Sequence, residues 1–218
     1  KIHRAFARVR EANFALDGWY FEEIDRVDPV SELGRFAGLG VIPPDEVPAP
    51  WAPGDVVTCY GTTVMAGCEL MLQEESSWLE YRMKPIKALA QINRDSGGGP
   101  FGNQPGVVSI EASSVFPKPA SALNSIAMLV TLWGKCTWVE YDANQNPVAM
   151  WIDDGSNLWD GTRMPTGGRV YGVKVHFPVP PAIPIHIGDY YVATGIMRTE
   201  TTATGCVRCL WATALVVR

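Results

Sequence analysis

The last 36 residues, Ile183 to Arg218, form two long segments rich in Val, Ile, Thr, Tyr and Trp that meet at a Thr-rich turn. On the second segment Val207, Cys209, Trp211, Leu215 and Val217 fall on one face of a strand, and Leu210, Ala212, Ala214 and Val216 fall on the other. A strand that is apolar on both faces is covered on both faces. The segment is therefore expected to close an all-β sandwich or to press against another subunit.

Signals of the same kind run through most of the chain. Asp55 to Met65 and Cys68 to Gln73 read as a hairpin, with Trp78 to Met83 as a further short strand. Val107 to Phe116 alternates as a half-buried strand. Ala127 to Tyr141 and Val148 to Ile152 flank Asp142-Ala-Asn-Gln-Asn-Pro147, whose Asx and Pro chemistry predicts a tight connection. Arg169 to Phe177 places Tyr171, Val173, Val175 and Phe177 on one side and Lys174 and His176 on the other. Ser96 to Gly106 is an irregular Gly- and Pro-rich loop, and Pro85 to Arg94 is read as a helical turn or two.

With 21 Gly, 17 Pro and long loops, the expected fold is all-β: a jelly-roll-like antiparallel β-sandwich with long Pro/Gly-rich loops and little helix. Residues 55–218 are assigned to the sandwich. Residues 1–54 are assigned to an N-terminal segment and an extended arm, because prolines 43, 44, 48, 50 and 53 lack the amide donors a central strand needs. Periodicity over the first 34 residues does not decide between helix and strand.

Composition excludes several function classes. A formal charge of −5 opposes general nucleic-acid binding, which needs a basic face to neutralise phosphates, so nucleic acid is expected to be contacted only through segments outside this chain. No apolar run reaches the ~18 residues of a membrane span. Five cysteines without regular spacing predict buried thiols rather than a disulfide framework. The start at Lys1, without a signal pattern, suggests a trimmed fragment.

Candidate chemistry is sparse. Gly67-Cys68 and Gly205-Cys206 lack the following glycine of an oxyanion turn. Cys206 and Cys209 have the spacing of half a zinc site, but positions three apart on a strand face opposite ways. No catalytic residue is assigned and the chain is read as a non-enzyme. Asp142, Asn144, Asp153 and Asp154 are candidate calcium ligands, since they crowd oxygens into two loops, and ordinary Asx turns are the competing reading. No other cofactor is expected. Trp151 and Trp159, together with Trp51, are candidate contacts for a receptor or a glycan. With Asp153, Asp154 and Asp160 alongside, the alternative is a carbohydrate-binding jelly-roll module or a glycan hydrolase.

The segment Gly134-Lys-Cys-Thr-Trp-Val-Glu-Tyr-Asp142, ending in Asn146-Pro147, resembles the late shell strand of coat proteins from small icosahedral RNA viruses of the tombusvirus and nodavirus kind. The resemblance covers about fourteen residues of 218, and the basic arm of that family has no counterpart in the sequence. It implies a capsid shell or spike domain that self-assembles with other capsid subunits and binds a host receptor through its loops. It also implies assembly into a virion after synthesis in the host cytoplasm, and calcium held between subunits, with Asp142 and Asp154 as the first positions to test.

Overall fold

The computed structural model describes residues 2–14, 18–23, 38–43, 51–82, 87–111, 116–203 and 205–218. Every regular element among them is a strand, and no helix is long and apolar enough to cross a membrane. The expectation of an all-β chain holds, but the architecture is built on closed barrels rather than on a plain sandwich. The chain divides into two compact units, residues 1–87 with 126–129, and residues 88–125 with 130–218.

The first unit contains β1 (Ile2–Phe14), β2 (Gly18–Glu23), β3 (Gly38–Ile42), β4 (Asp55–Ala66) and β5 (Glu69–Arg82). They close in the order β1-β2-β3-β5-β4. Closure depends on the length of β1, which pairs with β4 over Ile2 to Arg8 and with β2 from Ala7 to Phe14, with register shifts after Val9. A strand shared between two neighbours in this way must curl, and bulges supply the bend. Another bulge lies between Tyr60 and Gly61, where an added Cβ would stand 2.0 Å from the Gln73 carbonyl oxygen, so only glycine fits. The interior is filled by Trp19, Phe21, Val41, Val57, Cys59 and Leu72.

This unit departs from the sequence expectation. Three of its strands lie within the 54 residues assigned to an arm, and their partners begin at Asp55. The reason is that β3 joins β5 in parallel across the Pro-rich stretch, a long-range pairing with no local sequence signature. Residues 44–50 of that stretch, 85 and 86 of the helical turn expected over Pro85 to Arg94, and 112–115 of the Val107 strand lie outside the described residues; the described part of that turn holds the short strand Leu89–Ala90 and no helix. The Asp55 hairpin is present, and its second arm continues through Trp78 as one strand.

The second unit contains β6 (Leu89–Ala90), β7 (Val108–Glu111), β8 (Lys118–Pro119), β9 (Leu129–Tyr141), β10 (Pro147–Asp153), β11 (Leu158–Arg163), β12 (Arg169–Tyr171), β13 (Val173–His176), β14 (Tyr190–Thr202) and β15 (Gly205–Val217). β9 pairs with β10, β10 with β13, β13 with β15 in parallel, and β15 with β14, which returns beside β9. The ring order β9-β10-β13-β15-β14 repeats that of the first unit, strand for strand. The β11 and β12 hairpin, inserted between the second and third barrel strands, joins β7 and β8 in a separate small sheet.

Register identifies the inside of this barrel. Val139, Met150, Val175, Leu210 and Met197 occupy one rung and are all buried. The residues on either side of that rung on each strand therefore point outward. Burial on both faces of β15, expected along its whole length, holds from Val207 to Leu210 and fails beyond Trp211, where Val216 and Val217 are exposed. The single strand expected over Arg169 to Phe177 is broken at Gly172, whose φ of 113° and contact with the Ile152 carbonyl exclude a side chain.

Candidate functional site

The outer face of the second barrel gathers chemistry that no single segment displays. One outward rung carries Trp138, Trp151, Lys174, Cys209 and Arg198, and the next carries Glu140, Ala149, His176, Trp211 and Ile196. The Arg198 guanidinium lies 4.5 Å from the centre of the Trp211 ring, and the His176 ring is 5.7 Å from it. The Lys174 ammonium sits 5.1 Å from the Trp151 ring and bridges Glu140 at 3.4 Å and Glu200 at 3.6 Å. Such cation–aromatic contacts orient the rings and leave their other faces available where solvent reaches them.

Glu200 is the electrostatic centre of this face. Its carboxylate meets His176 Nε2 at 2.5 Å. Burial acts to raise its pKa, but the hydrogen bond and charge of His176 and the charge of Lys174 outweigh burial and hold the carboxyl below its usual range. His176, Glu200 and Cys209 also bring one imidazole nitrogen, one carboxylate oxygen and one sulfur within 4.8 Å of each other. Among the described residues, this is the group with the donor set of a transition-metal site.

Beside this face the β11–β12 hairpin presents a second cationic feature. Arg163 and Arg169 are directly opposed across the hairpin, and both stack on Trp159, at 5.0 and 4.3 Å from the ring centre. Two like charges in register repel. The shared indole partly offsets that cost.

The residues singled out from sequence are placed differently. Trp151 and Trp159 are buried, the former under Val170 with Trp138 and Met164 packed alongside. Neither offers an open ring to a sugar or a receptor; Trp51, half-buried, packs against the first barrel's core. Asp142 accepts hydrogen bonds from the Asn144 and Asn146 amides at 2.8 Å each, so Asn144 contributes its N–H to a turn. Asp153 accepts from the Asn157 amide, and Asp154 from those of Ser156 and Asn93. Asp142 and Asp153 thus cap their own loops, while Asp154 also ties its loop to the Asn93 backbone.

Three of the five cysteines, Cys59, Cys136 and Cys209, are buried thiols. Cys68 and Cys206 are disulfide-bonded, which corrects the expectation that the cysteines are all reduced and removes Cys206 from any paired zinc motif. The residues that sequence reasoning passed over, Lys174, Arg198, Glu200 and Trp211, stand at alternate positions of three strands. Their common face was legible strand by strand, but their adjacency depends on the parallel pairing of β13 with β15.

No family model matches the chain, and no curated protein matches it. Among solved structures it is similar to a deletion mutant of the single-stranded DNA binding protein from Thermus aquaticus, at 10% identity over 100% of this chain and 92% of that one, with a TM-score of 0.24. A likeness that slight carries no argument about fold or function.

Proposed function

We propose that this chain is a non-enzymatic binding protein for single-stranded nucleic acid, built on two barrels of the oligonucleotide/oligosaccharide-binding type. The carrying observation is the ring order shared by both units, in which the first strand pairs with the second and fourth and the third runs parallel to the fifth. Five-stranded Greek-key barrels of this type bind extended polymers across the outer face of their second and third strands. In the second unit those strands are β10 and β13; the β11–β12 hairpin covers the outer residues Ala149 and Trp151 of β10, so the face open to a polymer is that of β13 with Trp211, Arg198 and the Arg163–Arg169 pair beside it.

Charge distribution supports the reading and revises the whole-chain exclusion. Residues 1–87 hold nine Lys and Arg against fourteen Asp and Glu, whereas the remainder holds nine of each. The acidic excess thus belongs to the first unit. On a neutral unit affinity comes chiefly from base stacking, about 1–3 kcal/mol per base, with a small phosphate contribution. Counting Arg163, Arg169 and Arg198 as phosphate contacts gives a log–log salt slope of about −2.

Fluorescence anisotropy with a labelled oligothymidylate and a duplex of equal length tests this. Preferential binding of the single strand with that shallow salt slope is expected, and no binding at low salt refutes the reading. A self-assembling coat subunit is the second reading, favoured by the exposed Tyr190, Val216 and Val217 at one end of the β14–β15 hairpin. It requires particle-sized or discrete oligomeric species in light scattering, with receptor binding through loops.

A further inference from the structure

We propose that His176, Glu200 and Cys209 form a site for a transition-metal dication of the zinc class. This goes beyond the nucleic-acid reading and does not depend on it. The three side chains come from the neighbouring strands β13, β14 and β15, so the scaffold is a hydrogen-bonded sheet rather than a loop. Cys209 stands opposite both Lys174 and Arg198 in register, with His176 two positions along β13 and Glu200 two positions along β14.

The donor set is the one zinc prefers: a thiolate at about 2.3 Å, an imidazole nitrogen at about 2.0 Å and a carboxylate oxygen at about 2.0–2.2 Å in a tetrahedron. Those bond lengths separate ligand atoms by roughly 3–4 Å. The three present atoms already lie within 4.8 Å of each other, and His176 Nε2 and Glu200 are 2.5 Å apart. Entry of an ion moves that pair apart by about 1 Å, well within side-chain rotation, and replaces their direct contact.

Charge also balances. Thiolate and carboxylate together neutralise a dication; binding releases the thiol proton to solvent, and the Nε2 proton shared with Glu200 leaves that nitrogen, to solvent from an imidazolium or to Nδ1 in a neutral ring. Lys174, which loses Glu200 as a partner, keeps Glu140 at 3.4 Å and its place over Trp151. Lys174 and Arg198, in register with Cys209 on either side, oppose the incoming cation. His176 and Glu200 keep 21% and 34% of their side-chain surface open, so the fourth position faces solvent and takes water or an incoming ligand atom.

The test is a cobalt(II) titration of the chelator-treated full chain, followed by absorbance. The expected result is a single equivalent bound with a thiolate-to-cobalt charge-transfer band and intense tetrahedral bands, displaced by zinc. C209S abolishes the charge-transfer band, whereas C136S retains it. Because Cys209 is buried, the half-exposed Glu200 supplies a second variant that leaves the core intact: E200Q weakens cobalt binding by about tenfold or more. Absence of the charge-transfer band at stoichiometric cobalt, its persistence in C209S, or unchanged affinity in a folded E200Q overturns the proposal.

Discussion

The indole N–H of Trp151 donates a hydrogen bond of 2.8 Å to the Asp160 carboxylate, nine residues away on the β11–β12 hairpin. The other carboxylate oxygen of Asp160 accepts from the Thr162 amide, so one side chain ties the hairpin to the barrel wall and caps a bend within it. Removing the carboxylate strands a buried indole donor, at a cost of about 1–3 kcal/mol. Asp160→Ala is therefore expected to lower the urea midpoint by that equivalent, while Asp160→Asn, which keeps an acceptor oxygen, loses less. Equal stability of both variants and the parent would show that the bond is not formed in solution.

Trp211 is half-buried and framed by Arg198 and His176 on the proposed binding face. Trp211→Ala should weaken oligothymidylate binding by about tenfold, the lower part of the range for one lost base stack, without changing the salt slope. Arg198→Ala should reduce the slope by about 0.7 as well as the affinity. Leu123→Ala, at a side chain 87% exposed elsewhere on the unit, should alter neither. Anisotropy at several salt concentrations separates these outcomes.

Arg208 points into the second barrel and is 5% exposed, with Nη1 donating to the Asn93 and Arg94 carbonyl oxygens. Burial pushes its pKa down to about 10, partly countered by Asp95. The side chain fastens the loop after β6 to the end of the barrel. Arg208→Met keeps the volume and leaves those carbonyls unsatisfied, so a loss of about 1–3 kcal/mol is expected. Hydrogen exchange should locate the loosening in residues 91–98.

Stability at high pH should be limited by the buried thiols. Burial pushes Cys136 up to about 11 from an ordinary 9.0, a backbone hydrogen bond with Trp138 lowers it and the Asp189 charge raises it; burial also raises Cys59. A folded-state pKa above the unfolded value contributes stability below pH 9.0 that is lost as pH rises toward 11. Denaturant midpoints should fall across that window, and the fall should be shallower in Cys136→Ala.

Asp142 should behave in the opposite sense. Hydrogen bonds from the Asn146 amide and side chain, countered slightly by burial, hold its carboxyl below the usual 3.8. Its contribution is complete above that value and disappears as pH falls through the folded pKa. Carboxyl chemical shifts across an acid titration should place its midpoint below 3.8, and an unshifted midpoint would mean that the turn is not formed.

Local chemistry alone determined much of this protein. Alternation marked the strands from Leu129 to Tyr141 and from Gly205 to Val217, the Asx-rich run marked the turn after Asp142, and low helix signal marked an all-β chain. Each of these follows from interactions within a few residues, where side-chain period and backbone preference act directly. Tertiary structure alone decided that Gly38 to Ile42 joins β5, that β13 joins β15, and that the sheets close into barrels. It likewise buried Trp151 and Trp159 and assembled Lys174, His176, Glu200, Cys209 and Trp211 on one face. The physical reason is that parallel pairings and closure are selected by the packing of side chains distant in sequence, and alternation along one strand does not specify which strand lies beside it.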